Sequence, residues 1–86
     1  MKRIEEIKKR YKEVYLWEDK PNKIYEKHSH AYEVRLEIIH GGMKLIIESQ
    51  RHILRKNSKI VIEKNKSHEA KISSKGCKYL VAERLK

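Results

Sequence analysis

The sequence predicts an all-β domain, a sandwich or barrel of short strands preceded by a short N-terminal helix. From residue 13 onward, apolar residues recur with the period of two that is typical of strands, and turn residues separate these stretches. The apolar residues are also largely β-branched, with eleven isoleucines and no phenylalanine. A chain of 86 residues is expected to form one domain with one core, here a helix at 1–14 followed by the barrel at 15–86.

The N-terminal element is predicted as an amphipathic helix over residues 2–13. Ile4, Ile7 and Tyr11 are spaced three or four residues apart, so that they share one helix face. Glutamates also precede a lysine or an arginine by four residues, and such pairs stabilise a helix. The period of the apolar residues changes to two where this segment ends.

The barrel strands are predicted as short segments between turn signals. Glycine, asparagine, serine and proline supply these signals, because they favour the backbone conformations of tight turns. Turns are predicted at Pro21-Asn22, Gly41-Gly42, Ser49-Gln50 and Lys56-Asn57. Strands are predicted at 13–17, 23–28, 31–39, 43–48, 51–54, 59–63, 68–72 and 77–84.

The stretch HAYEVRLEII, which begins at His30, shows which strand face points inward. Val34, Leu36 and Ile38 occupy alternate positions, whereas the positions between them are charged. Alternate side chains share one face of a sheet, so the apolar set faces the interior. His28 and His30 have the same parity and are therefore predicted to point inward as well.

A third histidine, His68, follows a predicted strand forty residues after His28. Two positions along a strand are ~7 Å apart, a distance that two ligands close by leaning toward one ion. Facing strands of a small barrel would bring His68 to the same point. Neutral imidazole is a good ligand for several divalent metals, so His28, His30 and His68 predict a site for one Zn, Fe, Mn, Ni or Cu ion.

Two segments, HSHAYEVRLEIIHGG and NSKIVIEKNKSH, resemble the paired motifs of the cupin superfamily. The first motif of that family is His-x-His, three or four residues, Glu, six residues and Gly. The second is Gly, five residues, Pro-x-Gly, two residues and His. Asn57 and Asn65 stand at the two glycines of the second motif, and Asn also adopts the left-handed conformation. Glu63 stands at the Pro and His68 at the His. The resemblance covers about residues 15–84 and implies a jelly-roll barrel of the small cupin 2-like kind.

One position departs from the family pattern. The spacing places the family's glutamate ligand at Val34, and Glu33 lies one residue early with the opposite parity. A β-bulge could turn Glu33 inward, but it would disrupt the pattern of Leu36 and Ile38. The prediction is therefore a three-histidine metal site, with Glu33 as a less favoured fourth ligand. Such a site keeps open coordination positions.

The resemblance implies a metal ion in the barrel and a small-molecule ligand beside it. In an enzyme, the open positions would bind a small oxygen-rich or anionic substrate, with the metal as Lewis acid or O₂ platform. The alternative is a non-catalytic binding or sensor cupin, and no general acid or base in the sequence decides between them. Cupins commonly dimerise through edge strands, which predicts a homodimer. The wall that would exclude water is predicted to comprise Val34, Leu36, Ile38, Ile60 and Ile62.

The net charge of +10 raises the second alternative of a basic nucleic-acid-binding protein. The lysines, however, are scattered over almost every turn and exposed strand face, and no aromatic RNA-binding motif or zinc-finger spacing accompanies them. A small anionic ligand fits the charge equally well. The sequence contains no apolar run of membrane-spanning length and no leader, which predicts a cytoplasmic protein without a membrane partner.

The other residues that could bind a ligand or react are assigned to the surface or to the core. His40 and His52 are predicted to be solvated, and Cys77, the single cysteine, is predicted to pack in the core. Aromatic residues in so small a core are also mostly structural. Four aromatic residues could line a ligand pocket, and parity places only Tyr32 and Tyr79 near the cavity, whereas Trp17 and Tyr25 are predicted to lie away from it.

Overall fold

The computed structural model describes residues 10–84, and within this range the protein contains strands and turns but no helix. The six strands, in chain order, are β1 Glu13–Asp19, β2 Ile24–His28, β3 Glu33–Ile47, β4 Gln50–Leu54, β5 Lys59–Ile62 and β6 His68–Arg84. They form one antiparallel sheet, which confirms the predicted all-β fold. β3 and β6 are long, and the other four strands are short.

The two long strands connect the two halves of the sheet, because β3 and β6 pair along their whole length. In the first half, β1 pairs with the C-terminal part of β6 and β5 with the N-terminal part of β3. In the second half, β2 pairs with the N-terminal part of β6 and β4 with the C-terminal part of β3. The two halves enclose one apolar core, as in a jelly-roll barrel.

Two opposed glycines mark the bend between the halves. Gly41 of β3 and Gly76 of β6 have φ angles of +77° and +79°, a conformation that glycine adopts most readily. A Cβ at Gly41 would also overlap the carbonyl oxygen of Gly76. The hairpin predicted at Gly41-Gly42 is therefore wrong: these glycines bend one continuous strand, and the ladder shifts register around them. In the same way, β6 joins the strands predicted at 68–72 and 77–84.

The register shifts change which residues of β3 face the core. Before the bend, Val34, Leu36 and Ile38 are buried, as the parity of the sequence predicts. After the bend the buried positions are odd-numbered and include Met43 and Leu45. All five side chains belong to the same apolar cluster, so both halves of β3 build one core.

Asparagines supply the left-handed residue in three turns. Asn22, Asn57 and Asn65 have φ angles of +65°, +73° and +64°, which agrees with the glycine positions that the last two occupy in the second cupin motif. The β3–β4 hairpin turns on Glu48 and Ser49, both with positive φ, the signature of a type I′ turn. This turn lies one residue earlier than the sequence predicted.

The predicted N-terminal helix falls mainly on residues 1–9, which lie outside the described residues. Glu13 and Val14, assigned to the end of that segment, belong to β1 instead. Tyr11 is buried and packs on the face of β6 that points away from the main core. The part of the chain that the structure describes has no helix with the length and hydropathy needed to cross a membrane.

Candidate metal centre

Three histidines meet at one end of the barrel, two of them at strand ends and the third in a connection between strands. His28 is the last residue of β2 and lies directly opposite His68, the first residue of β6. Opposed residues of an antiparallel pair have neighbouring side chains, which brings the two imidazoles together. His30 lies in the connection from β2 to β3, where its carbonyl oxygen accepts a hydrogen bond of 2.7 Å from the backbone N–H of Asn65. This bond ties the connection to the turn before β6.

The three imidazoles are close enough to share one ion. One ring nitrogen of each lies within 4.8 Å of the others, and the ring centroids are 4.2, 5.0 and 5.2 Å apart. Zinc–nitrogen bonds of ~2.0–2.1 Å require somewhat closer nitrogens, so the rings would have to rotate toward an ion as it binds. The structure thus brings together the three histidines that the sequence singled out, and they are the single such group among residues 10–84.

Backbone carbonyls orient two of the rings. Nδ1 of His28 lies 2.6 Å from the carbonyl oxygen of Glu26, and Nδ1 of His68 lies 3.0 Å from that of Lys66. A carbonyl oxygen only accepts hydrogen bonds, so in the neutral form of each ring this contact favours the tautomer with the proton on Nδ1 and the lone pair on Nε2. Such a contact on one nitrogen is usual for histidines whose other nitrogen binds a metal.

Burial keeps two of the imidazoles in the neutral form that metals bind. Burial lowers the pKa of His68, the contact with the Lys66 carbonyl opposes this, and the charges of His28 and His30 reinforce it. Burial also lowers the pKa of His30, again with a contribution from His28. Both rings are therefore unprotonated at neutral pH, and no proton has to leave them before an ion binds.

Glu33, the less favoured fourth ligand, faces away from the histidines. Its carboxylate accepts a hydrogen bond of 2.8 Å from the Tyr11 hydroxyl and lies 3.5 Å from the Arg84 guanidinium. The ladder between β3 and β6 is regular at this point, so no bulge turns Glu33 inward. Val34, at the position of the family's glutamate, lines the cavity beside the histidines.

Glu83 is the carboxylate that the structure places at this end of the cavity, and the sequence interpretation missed it. It lies opposite Val34 in the β3–β6 ladder and lines the same cavity. Its Oε2 accepts hydrogen bonds from the hydroxyls of Tyr15 and Tyr32, at 3.2 and 3.4 Å. The Tyr32 ring in turn stacks on His30, with centroids 5.1 Å apart. Glu83 is thereby connected to the histidine cluster.

The histidines open onto a cavity of about 290 Å³ between the two halves of the barrel. Aliphatic side chains of β3, β5 and β6 form much of its wall, together with Tyr79, which was predicted there. Trp17 and Tyr25 line it too, so the prediction that they lie away from the cavity is wrong. The edge strands β1 and β2 turn these side chains toward the interior. No lysine or arginine of residues 10–84 lines the cavity.

A second polar cluster lies toward the bend, where Asp19 is paired with Cys77. The buried carboxylate of Asp19 accepts hydrogen bonds from the hydroxyls of Tyr25 and Tyr79, both at 2.6 Å, and from the indole N–H of Trp17 at 3.0 Å. All three donors line the cavity. Asp19 therefore holds the aromatic part of the wall in place.

The remaining histidines and the cysteine take no part in the centre. His40 is exposed, as predicted, whereas His52 is half-buried beside a separate cavity rather than fully solvated. Cys77 packs in the core, as predicted. Burial, with a contribution from the charge of Asp19, raises the pKa of its thiol to about 11. A thiol with so high a pKa is protonated at neutral pH and a poor nucleophile.

Solved structures of cupin proteins are similar to this structure. A cupin-2 domain protein from Shewanella frigidimarina has a TM-score of 0.72 at 19% identity, with 84% of this chain and 69% of that chain covered. A cupin protein from Bacteroides fragilis has a TM-score of 0.72 at 16% identity, covering 83% and 63%. The Cnp3 cupin domain of Schizosaccharomyces pombe has a TM-score of 0.78 at 7% identity, covering 85% and 52%. The chain thus spans between about half and two thirds of the length of these proteins.

No protein-family model matches the sequence, and no curated protein matches it. Sequence identities of 7% to 19% mean that the structural likeness shows the fold alone. The chain therefore has the cupin fold, a small all-β barrel. At one end of this barrel, three clustered histidines have the geometry to bind a metal ion.

Proposed function

We propose that this protein binds one divalent metal ion through His28, His30 and His68. The observation that carries the proposal is the convergence of the three rings, with ligand nitrogens within 4.8 Å of one another. The carbonyl contacts of two of the rings support it, because they leave Nε2 available. Imidazole donors suit Zn, Fe, Mn, Ni or Cu. Three protein ligands also leave coordination positions open toward the cavity.

These open positions would accept a small ligand that carries oxygen donors. A bound ion would supply Lewis-acid polarisation of a coordinated oxygen or a place for O₂. The protein supplies an apolar wall that displaces water from around the ligand. A cavity of about 290 Å³ is just below the usual range for small-molecule sites, which limits the ligand to a small number of non-hydrogen atoms.

A metal-dependent enzyme and a non-catalytic sensor both fit such a site. In an enzyme, turnover of a substrate is expected to require added Fe(II) or Mn(II) and to disappear with a chelator. In a sensor, a small molecule is expected to bind with the same affinity in the presence and absence of metal. Turnover assays and calorimetry on the same metal-loaded and metal-free samples therefore separate the two.

A homodimer is proposed through β1. Among residues 10–84, β1 pairs with β6 alone, so its other edge is open. Leu16 and Trp17 on this strand are 48% and 49% exposed. Strand pairing with a second copy would cover both the edge and these side chains. Sedimentation equilibrium is expected to show a dimer that Leu16→Lys converts to a monomer, and a monomeric wild type contradicts this.

The metal content of protein purified without a histidine tag tests the metal site. Wild type is expected to carry one divalent ion per chain, and His28→Ala and His68→Ala to carry much less. Zinc affinity in these two variants is expected to fall at least 100-fold, since even the loss of an outer hydrogen-bond partner costs about 10–100-fold. His40→Ala, which removes an exposed histidine outside the cluster, is the matched control. Equal metal content in all four proteins overturns the proposal.

A further inference from the structure

We propose that Glu83 selects the ligand of this centre. It accepts a hydrogen bond from a hydroxyl group of a neutral, mainly apolar chelator, and it disfavours ligands that bind through a carboxylate. This role rests on the metal site proposed above, because the chelator occupies the open positions of that site.

The register of β3 and β6 places the Glu83 side chain at the cavity. Val34 lies opposite Glu83, and Glu33 lies opposite Arg84 one position further along. Successive residues of a strand point to opposite faces, so one pair points inward and the other outward. The outward pair forms an ion pair, with 3.5 Å between Glu33 Oε2 and Arg84 Nε. The inward pair leaves a carboxylate in a cavity that the three histidines also line.

Two tyrosines hold this carboxylate in position. Tyr15 and Tyr32 both donate to Oε2 of Glu83, and Oε1 accepts no hydrogen bond from residues 10–84. Burial, with the charge of Glu83 as the next cause, raises the pKa of Tyr15 to about 12, so its hydroxyl keeps its proton. The carboxylate is thus oriented by neutral donors and retains an acceptor oxygen.

Apart from the ion itself, the charges around the cavity favour a neutral ligand over an anionic one. The chain has 22 lysines and arginines, yet none in residues 10–84 lines the cavity. A ligand carboxylate would therefore meet Glu83 without a cationic side chain to compensate the repulsion. A ligand hydroxyl would instead donate a hydrogen bond to the charged Glu83, and charge-assisted bonds of this kind are the stronger ones.

The wall of the cavity favours an apolar body on the ligand. Val34, Leu36 and Ile62 come from β3 and β5, and Trp17 and Tyr79 come from β1 and β6. The polar atoms of the last two are already bonded to Asp19, so they present mainly ring surface to a ligand. A phenol or an enol with a small hydrocarbon body fits this wall, whereas a sugar acid would leave many hydroxyls without partners.

Binding of two matched probes to the zinc-loaded protein tests the role of Glu83. The probes, 4-methylcatechol and benzoate, contain the same numbers of carbon and oxygen atoms, but only benzoate is an anion at neutral pH. Calorimetry is expected to show that wild type prefers 4-methylcatechol. Glu83→Gln is expected to lower the affinity for 4-methylcatechol about tenfold or more, which is the effect of losing one charge-assisted hydrogen bond. The same substitution is expected to raise the affinity for benzoate.

The opposite signs of these two changes distinguish selection from structural damage. A variant that only disturbs the cavity would weaken both probes, and that result overturns the proposal. Glu83→Asp keeps the negative charge, so it is expected to keep the discrimination against benzoate. Glu18→Gln, which neutralises an exposed carboxylate on β1, is the control and is expected to leave both affinities unchanged.

The failure of this role can be told apart from the failure of the metal site. The metal site is established if zinc binds to wild type and His68→Ala abolishes this binding. If Glu83→Gln then changes the affinities of both probes in the same direction, Glu83 does not select the ligand. If wild type and His68→Ala bind zinc equally, the metal site itself fails. If 4-methylcatechol binds metal-free and zinc-loaded protein with equal affinity, the chelation on which selection depends is absent and the role of Glu83 is overturned.

Discussion

At the bend end of the cavity, the Asp19 carboxylate accepts three hydrogen bonds of 2.6 to 3.0 Å from protein donors. At the open end, the ring nitrogens of His28 and His68 that face away from the backbone have no hydrogen-bond partner within residues 10–84. The Glu83 carboxylate there is held by two longer bonds, of 3.2 and 3.4 Å. Both ends therefore place polar groups in the same apolar cavity, but only one of them satisfies these groups internally.

This difference separates a structural role from a binding role. Buried polar groups are destabilising unless they find a partner, so a fully bonded group such as Asp19 contributes to the fold. Groups that keep a lone pair directed at a cavity gain their partner when a ligand arrives. Mutations at the bend end are thus expected to change the stability of the protein. Mutations at the open end are expected to change ligand binding.

The largest expected effect is at the bend end. Asp19→Ala leaves three donors without their acceptor. The buried Tyr79 hydroxyl alone is expected to cost about 1–3 kcal/mol, and the partly exposed Tyr25 and Trp17 groups add less, so the free energy of unfolding is expected to fall by about 3 kcal/mol. Asp19→Asn keeps an acceptor oxygen and is expected to lose less. Urea unfolding of the metal-free protein measures both. A loss of less than about 1 kcal/mol in Asp19→Ala would mean that Asp19 is not the structural centre of this end.

Zinc binding is expected to stabilise the protein through the open end alone. A ligand at 100 times its Kd adds about 2.7 kcal/mol to the free energy of unfolding. Thermal unfolding is expected to show this gain in wild type and in Asp19→Asn, but not in His68→Ala. An equal gain in His68→Ala would place the metal elsewhere on the protein.

The fold was predictable where local chemistry decides the backbone. Asn57 and Asn65 adopt the left-handed conformation of the glycines that they replace in the second cupin motif. The parity of Val34 and Leu36 showed the inward face of β3 because alternation holds along an unbroken strand. Gly41-Gly42 led to the wrong prediction of a hairpin, because two glycines can form a hairpin turn or a bend in one continuous strand. Only the pairing of this segment with β6 decides between the two.

The candidate site was predictable only in part. The spacing of the histidines was enough to predict that they converge, because it resembles the spacing of the two cupin motifs. Glu83 was missed although it extends the inward parity of Tyr79 and Val81, since a charged residue near a strand end reads as a surface residue. Trp17 and Tyr25 were misplaced because edge-strand parity does not show whether the inward face meets the cavity or solvent.

A moderate effect of pH is expected at the open end of the metal-free protein. The lowered pKa values of His30 and His68 mean that the unfolded chain takes up protons first as the pH falls below ~6.5. The contribution of these two rings to the free energy of unfolding is therefore constant above this pH and falls below it, by at most about 1.4 kcal/mol per pH unit for each ring. Urea unfolding between pH 5 and 8 is expected to show a smaller slope in His68→Ala. An identical slope would contradict the lowered pKa of this residue.

The smallest expected effect is on Cys77, which lies beside Asp19. With its pKa raised to about 11 by burial, the native thiol is expected to remain unmodified by iodoacetamide at pH 8, with or without zinc. The unfolded protein is expected to react readily. Mass spectrometry follows the modification, and rapid alkylation of the native protein would show that the bend end opens more easily than its hydrogen bonds indicate.

The part of β6 between the bend at Gly76 and His68 is long enough to convert a small change of angle into a large displacement. His68 lies eight residues from Gly76 along β6, a span of about 26 Å in an extended strand. A change of about 5° in the bend would move the far end of that segment by roughly 2 Å, the length of one metal–nitrogen bond. Substitutions around Gly41 and Gly76, far from any ligand atom, are therefore a route by which such a barrel can change its choice of ion without replacement of any of the three histidines.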